Sequence, residues 1–272
     1  MAVIIDLARG RRREGNDGML DLTIDEQVAT LCINRPEKRN AMTAEMWQAL
    51  PGLLDRLAAD PEVGVVVLTG AGGTFCAGAD IADLGEFVGD GLTLGAEEAL
   101  AAFPKPTIAM IEGYCVGGGC QLAAACDLRF AADDARFGIT PAKLGIVYPA
   151  STTRRLVSLI GPSAAKYLLF SADLIEAAQA LRIGLLDEML PVAALHARVR
   201  DFCHTITTRS QLTVRATKDL VDSIAAGRLT DEQADRWSRE AAESGDAREG
   251  VSAFLERRPP RFGWTGPQLT QP

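Results

Sequence analysis

The sequence predicts an α/β protein, and three observations carry that expectation. Short apolar runs of strand type alternate with helical patterns through most of the chain, the arrangement that builds a sheet covered by helices. One run, Val65 to Leu68, is continuously apolar and led by three valines, as in a strand buried on both faces. From about residue 200 onward the candidates are mainly helices, which divides the chain into a core and a helical module.

The elements follow in chain order. Residues 1–18 end in RGRRREGNDG, a polar, basic, Gly-containing stretch that predicts a flexible leader. Leu20 to Ile24 and Val28 to Ile33 read as strands joined by a turn at Asp25 to Gln27, and Arg35 with Pro36 ends that hairpin. A helix starts after Thr43, a fitting N-cap, but Pro51 and Gly52 fall inside its pattern and predict a kink or a split. Thr107 to Ile111 and Leu128 to Ala131 read as strands, with a helix from about Gly119 to Ala125 between them. From Ser163 the pattern is helical as far as a C-cap at Gly184, and a short strand follows at Leu186 to Pro191. The core is thus bounded at 19–200 and the helical module at 201–272, where Thr230 with Gln233 fits a capping box and Gly227 the end of the preceding helix.

Composition and absences exclude several classes. Hydrophobic residues make up 47% and charged residues 24% of 272, a globular balance that argues against disorder. No apolar run reaches the roughly 20 residues of a membrane span. The opening MAVIIDLA precedes Arg9 and Arg11 to Arg13 with no small-residue cleavage site, the wrong order for a secretory signal; a cytoplasmic location is expected. The net charge of -8 disfavours nucleic acid, whose phosphates would meet a repulsive field. Six cysteines without a C-x-x-C pair read as buried free thiols and not as metal ligands. The two histidines, His196 and His204, share one helical stretch opposite Val199, Phe202 and Ile206, as on a solvated helix face. H-E-x-x-H, G-x-S-x-G and the P-loop are missing, so the chemistries those motifs serve lack their parts.

Two glycine-containing loops follow buried strands: Gly70-Ala-Gly-Gly-Thr-Phe-Cys-Ala-Gly-Ala-Asp80 and Gly113-Tyr-Cys-Val-Gly-Gly-Gly-Cys-Gln121. A Gly-Gly-Gly run that opens a helix leaves unpaired N–H groups at the positive end of the helix dipole, which is the physics of an oxyanion site. Three glycines also fit simple close packing of helix on sheet.

These loops occur in order with Ile33-Asn-Arg-Pro-Glu-Lys-Arg-Asn-Ala41, Cys126-Asp-Leu-Arg129, Gly161-Pro-Ser-x-Ala-Lys166, Gly184-Leu-Leu-Asp-Glu188 and Glu249-Gly-x-x-Ala-Phe-x-Glu-Arg257. Over about residues 19 to 262 the chain resembles the crotonase superfamily of enoyl-CoA hydratases and isomerases. The resemblance implies a spiral of β-β-α turns with a C-terminal helical trimerisation module, a homotrimer or a hexamer of two trimers, and an acyl-CoA thioester as ligand. No separate cofactor is implied, since CoA is part of the substrate. It places the thioester oxygen between the N–H groups of Ala79 and Gly118, beside Ala77, Asp80, Ile81 and Gly117. It assigns CoA contacts to Lys38 and Arg39, and, toward a neighbouring subunit's CoA, to Phe254 and Arg257. Arg257 with Arg258 and Arg261 fits an exposed basic helix end equally well.

The chain departs from that family where its acids stand. The two hydratase glutamates are matched here by Gln121 and Pro141, and an isomerase-type acid by Pro149. A carboxamide does not titrate near neutral pH, and each acid or base typically contributes about 100-fold to 10,000-fold, so conventional hydration is expected to be weak or absent. Phe137-Gly-Ile-Thr-Pro-Ala-Lys-Leu-Gly-Ile-Val-Tyr148 resembles the methylmalonyl-CoA decarboxylase branch in part. That resemblance implies Tyr148, with Gln121, as donors to a departing carboxylate; a buried structural Tyr148 fits the same residues. Three classes stay open: base-free enolate chemistry, hydration or isomerisation through another acid such as Asp80, Asp83 or Glu86, and acyl-CoA binding without chemistry.

Overall fold

The computed structural model describes residues 3–6, 11–16, 19–83 and 91–266. Its strands are β1 (Val3–Asp6), β2 (Arg11–Asn16), β3 (Leu20–Asp25), β4 (Val28–Ile33), β5 (Val65–Gly70), β6 (Thr107–Ile111), β7 (Tyr114–Val116), β8 (Leu128–Ala132), β9 (Arg136–Gly138), β10 (Leu174–Glu176) and β11 (Glu188–Leu190). Eight of them form one sheet in the order β1-β2-β3-β4-β5-β6-β8-β11, and the other three form a second in the order β10-β9-β7. Pairing is antiparallel from β1 to β4 and parallel from β4 to β11. The helices are α1 (Ala44–Ala59), α2 (Leu92–Ala101), α3 (Gly118–Ala125), α4 (Pro141–Leu144), α5 (Ala150–Ser171), α6 (Ala177–Ile183), α7 (Val192–Thr207), α8 (Gln211–Ala225), α9 (Asp231–Ser244) and α10 (Asp246–Glu256). The successions β6-β7-α3 and β8-β9-α4 each place one strand in each sheet before a helix, which is one step of the spiral.

The apolar run at β5 is buried throughout, and its residues feed two cores. Val66 and Leu68 join a cluster with Trp47, Leu50, Phe75, Leu100 and Phe137. Val65 and Val67 point to the other face, against Leu195, Val199 and Cys203 of α7. Period-two alternation disappears from the sequence because both faces are covered. The β3–β4 turn places Glu26 and Gln27 at φ 46 and φ 69, the left-handed pair of a two-residue hairpin.

Three expectations are corrected. Residues 3–6 and 11–16 of the expected leader pair as antiparallel strands on the edge of β3, where an open row of backbone donors and acceptors is available to them. Pro51 does not split α1, which runs unbroken from Ala44 to Ala59. The proline removes one backbone donor, but Met46, Trp47, Leu50, Leu53, Leu54 and Leu57 are buried along one face of the helix and hold both halves on the core. The boundary at residue 200 falls inside α7, which packs on β4, β5, β6 and β8 and so belongs to the core. The helical module therefore starts at Ser210, whose side chain accepts from Thr213 N at the head of α8.

Within that module Thr230 accepts from Gln233 N at 3.2 Å. The Gln233 amide turns instead to Ser223 Oγ at 2.8 Å, so half of the expected capping box forms. Lys218 of α8 meets both Asp127 carboxylate oxygens, at 2.5 and 2.7 Å, and Asp127 also accepts from Thr107 N at 2.7 Å. That ion pair ties the module to the sheet. All six cysteines are free, and all but Cys32 are buried. Among the described residues no helix is long and apolar enough to cross a membrane, and no cluster of metal-ligating side chains occurs.

Candidate active site

The chain leaves β5 at Gly70 and returns through residues 75–80 as an extended segment held on both sides. On one side Cys76 N donates to Tyr114 O at 2.9 Å and Val116 N to Cys76 O at 2.9 Å. On the other, Ala77 N donates to Arg39 O, Met42 N to Gly78 O and Asp80 N to Met42 O, at 3.0, 2.8 and 2.9 Å. Gly78 N turns to Cys76 Sγ at 3.3 Å. Ala79 N is the donor this pattern leaves over, and it has no acceptor among the described residues.

Gly118 is the first residue of α3, and its N–H is one of those a helix start leaves without an intrahelical partner. Gly117 before it donates to Gly138 O at 2.8 Å, which fixes the entry to the helix. The two free donors are neighbours: a Cβ built on Gly118 would lie 3.5 Å from Ala79 N, and one built on Gly78 3.1 Å from Gly118 N. Gly78, at φ +103, takes a backbone conformation that side chains rarely adopt, and only hydrogen leaves the gap open.

Both donors face a cavity of about 540 Å³, within the range of small-molecule sites. Its walls come from Ala77 to Ala79 with Ile81, from Gly91, Thr93 and Leu94, from Gly117, Gly118 and Gln121, and from the run Thr140, Pro141 and Leu144 to Pro149. Tyr148 is the only titratable side chain among these lining residues. Burial pushes its phenol above the ordinary value, and nearby Cys120 and Glu97 push the same way, so it is a neutral hydrogen-bond donor at working pH. Gln121 is 8% exposed and Pro141 is the first residue of α4; both stand in the wall, where neither can carry a proton to or from a substrate.

Two of the three acids named from the sequence as substitutes make hydrogen bonds within the chain. Asp80 accepts from Ala82 N at 3.2 Å and from Arg35 at 3.0 Å, and these bonds hold its carboxyl below the usual range. Asp83 accepts from Ala44 N at 3.4 Å. Glu86 lies outside the described residues.

Lys38 and Arg39 are exposed, on the loop that bonds to Ala77 and Gly78, and are not among the residues lining the cavity; Arg39 lies over the Tyr114 ring at 5.2 Å. The buried Asn40 holds that loop, accepting from Arg35 N at 2.8 Å and donating to Ala71 O and Thr74 O at 2.9 and 2.5 Å. Phe254, 84% exposed, and Arg257, just past α10, are not among the residues lining the cavity within one chain.

Two residues near the site were missed in the sequence. Trp47 of α1 backs Gly118 so closely that a Cβ there would come within 2.8 Å of its Cζ2. Glu97 of α2 is buried; it accepts from Thr152 Oγ1 at 2.6 Å and pairs with Arg155, both in the early turns of α5. Burial raises its pKa, against the pull of those two partners. It is not among the lining residues and pins α2 to the helix that follows Tyr148. Two adjacent acids, Glu97 and Glu98, stand between Ala96 and Leu100, and no local signal marked which of them is buried.

The enoyl-CoA hydratase/isomerase family model matches residues 23–265. A protein from Syntrophomonas wolfei named as a crotonyl-CoA hydratase is 36% identical over 259 residues, covering 88% of this chain and 95% of that one. A crystal structure described as an enoyl-CoA hydratase/isomerase family member superposes with a TM-score of 0.86 at 37% identity, covering 92% of this chain and all of the other. The structure of an enoyl-CoA hydratase from Bacillus anthracis gives a TM-score of 0.83 at 30% identity, over 90% and 98% of the two chains.

Proposed function

The chain belongs to the enoyl-CoA hydratase/isomerase family, and on that premise we propose that it is an enzyme acting on an acyl-CoA thioester through a base-free enolate, with decarboxylation of a 2-carboxyacyl (malonyl-type) CoA as the reaction. One observation carries the reading: two neighbouring N–H groups without an acceptor among the described residues lie on a cavity whose described wall holds no carboxylate, imidazole or amine.

The thioester oxygen sits between Ala79 N–H and Gly118 N–H. The bond from Cα to the carboxylate carbon breaks, CO2 leaves, and the electron pair becomes an enolate whose charge rests on that oxygen. A donor of this kind is worth about 3 kcal/mol in the transition state. Tyr148 O–H and the Gln121 amide orient the carboxylate before it leaves; a proton then reaches Cα from Tyr148 or from water. Two active-site glutamates would repel such a substrate. Lys38 and Arg39 take the CoA phosphates, and in a homotrimer or a hexamer Phe254 and Arg257 extend toward a neighbour's CoA.

The relatives' names favour a second reading, hydration of a 2-enoyl-CoA, with the acid or base still to be located. Incubation with malonyl-type, 2-enoyl and 3-enoyl CoA esters, followed by mass analysis of the products, separates the two. Loss of CO2 from the malonyl-type esters is the expected result. Addition of water to 2-enoyl esters with the malonyl-type esters untouched would establish the second reading. Saturable binding without any conversion would leave an acyl-CoA-binding protein.

A further inference from the structure

A second cavity, of about 550 Å³, lies at the opposite end of the parallel strands. It opens at the β3–β4 turn (Gln27) and at Gly64, just before β5 begins, whereas the acyl-CoA site is built on the loop after β5 ends. Its far wall comes from the α7–α8 connection and from the segment after α10, with Phe262 and Trp264.

Arg215 of α8 lines this cavity without a carboxylate or carbonyl partner among the described residues, and its Nε is buried and unpaired. The guanidinium lies 5.2 Å over the Trp264 ring, and Trp264 is itself fixed by Nε1 donating to Glu240 at 3.1 Å. Stacking immobilises the plane of the guanidinium without using its N–H groups. A second buried atom is also unpaired, Gln211 Oε1, because Gln211 spends its amide N–H groups on Ile206 O and Arg209 O at 3.0 and 3.2 Å. Both residues belong to one cavity wall, and a buried donor or acceptor left unpaired is uncommon. Lys105, held by Leu57 O and Asp60 O at 2.7 and 2.6 Å, lies near enough for Arg215 to disfavour its charge, after burial and against the pull of Asp60. The acidic lining residues Glu26 and Glu62 are exposed, where water screens them.

We propose that this cavity is a binding site for a small oxyanion-bearing molecule, a carboxylate or a phosphate, taken by the Arg215 guanidinium. The site is separate from the acyl-CoA cavity, and the proposal does not rest on the reaction assigned there.

The test is a titration of the intact protein with inorganic phosphate and, separately, with succinate, followed by tryptophan fluorescence at an ionic strength held constant with sodium chloride. Saturation by at least one anion at millimolar concentration or below is expected, and which one saturates identifies the oxyanion. Arg215→Gln should weaken it by about tenfold or more, the loss of a charge-assisted pair. Arg215→Lys, which keeps the charge but loses the fork, should fall between and serves if the glutamine variant does not fold. Binding of CoA esters by the lysine variant should be unchanged. Saturation by neither anion, or equal affinity in wild type and the folded variants, would overturn the site.

Discussion

Gly70→Ala is expected to destabilise the protein by about 3 kcal/mol or more, a large effect for one methyl group. A Cβ at this position would lie 2.1 Å from the backbone oxygens of both Thr74 and Phe75 and 2.6 Å from Asn40 Nδ2. Backbone oxygens cannot swing aside as the end of a side chain can, so the loop itself must move. Asn40 then loses its bonds to Ala71 O and Thr74 O, and the segment carrying Ala79 loses its seat. The contrast is Gly52→Ala, inside α1 with nothing within 4 Å of the added carbon, which should be neutral or stabilising by up to about 1 kcal/mol. Urea midpoints of the two variants and wild type check both. A Gly70→Ala protein as stable as wild type would mean that the loop packing is looser than described.

Gly118→Pro is expected to lower kcat by about 100-fold to 1,000-fold relative to Gly118→Ala, the range for loss of one oxyanion donor. Alanine is the required reference because any Cβ at 118 meets Trp47 Cζ2 at 2.8 Å. Both variants share that clash, and only proline lacks the N–H. Proline is otherwise tolerated at the first position of a helix, so the comparison reports the loss of the N–H together with the ring carbon that takes its place. The effect should appear in kcat more than in thioester affinity, because the donor acts on charge that develops in the transition state. Equal kcat for the two variants would remove Gly118 from the oxyanion hole.

Much of the fold was legible because the hydrophobic period and the capping residues act locally. Thr43, Thr230 and Gly184 perform the cap roles their positions implied, and the β3–β4 hairpin keeps the expected strands and turn. The second sheet was not legible. Its strands β7, β9 and β10 are three residues each, too short to show a period of two. Pro51 does not split α1 because propensity was outweighed by six buried side chains on one helix face. At the site, the free N–H groups of Ala79 and Gly118 followed from resemblance, and their pairing could not be read from spacing: residues 39 apart meet only through the Cys76–Cys115 bridge. The roles of Trp47 and Glu97 depend on α1 and α2 packing against α3 and α5, which no local pattern encodes.

If Ala79 and Gly118 form an oxyanion hole while the acid and base of hydration are missing, crotonyl-CoA hydration is the reaction that reveals it. Wild type and the Gln121→Glu/Pro141→Glu double variant are assayed side by side for water addition. A wild-type rate near background and a detectable, poor hydratase in the double variant are expected. The gain stays small because Pro141 opens α4, and a displacement of about 1 Å in that loop alone can cost about 100-fold. Hydration by wild type at about 10 per second or more, typical of enzymes, would contradict that expectation and show that another group supplies the proton.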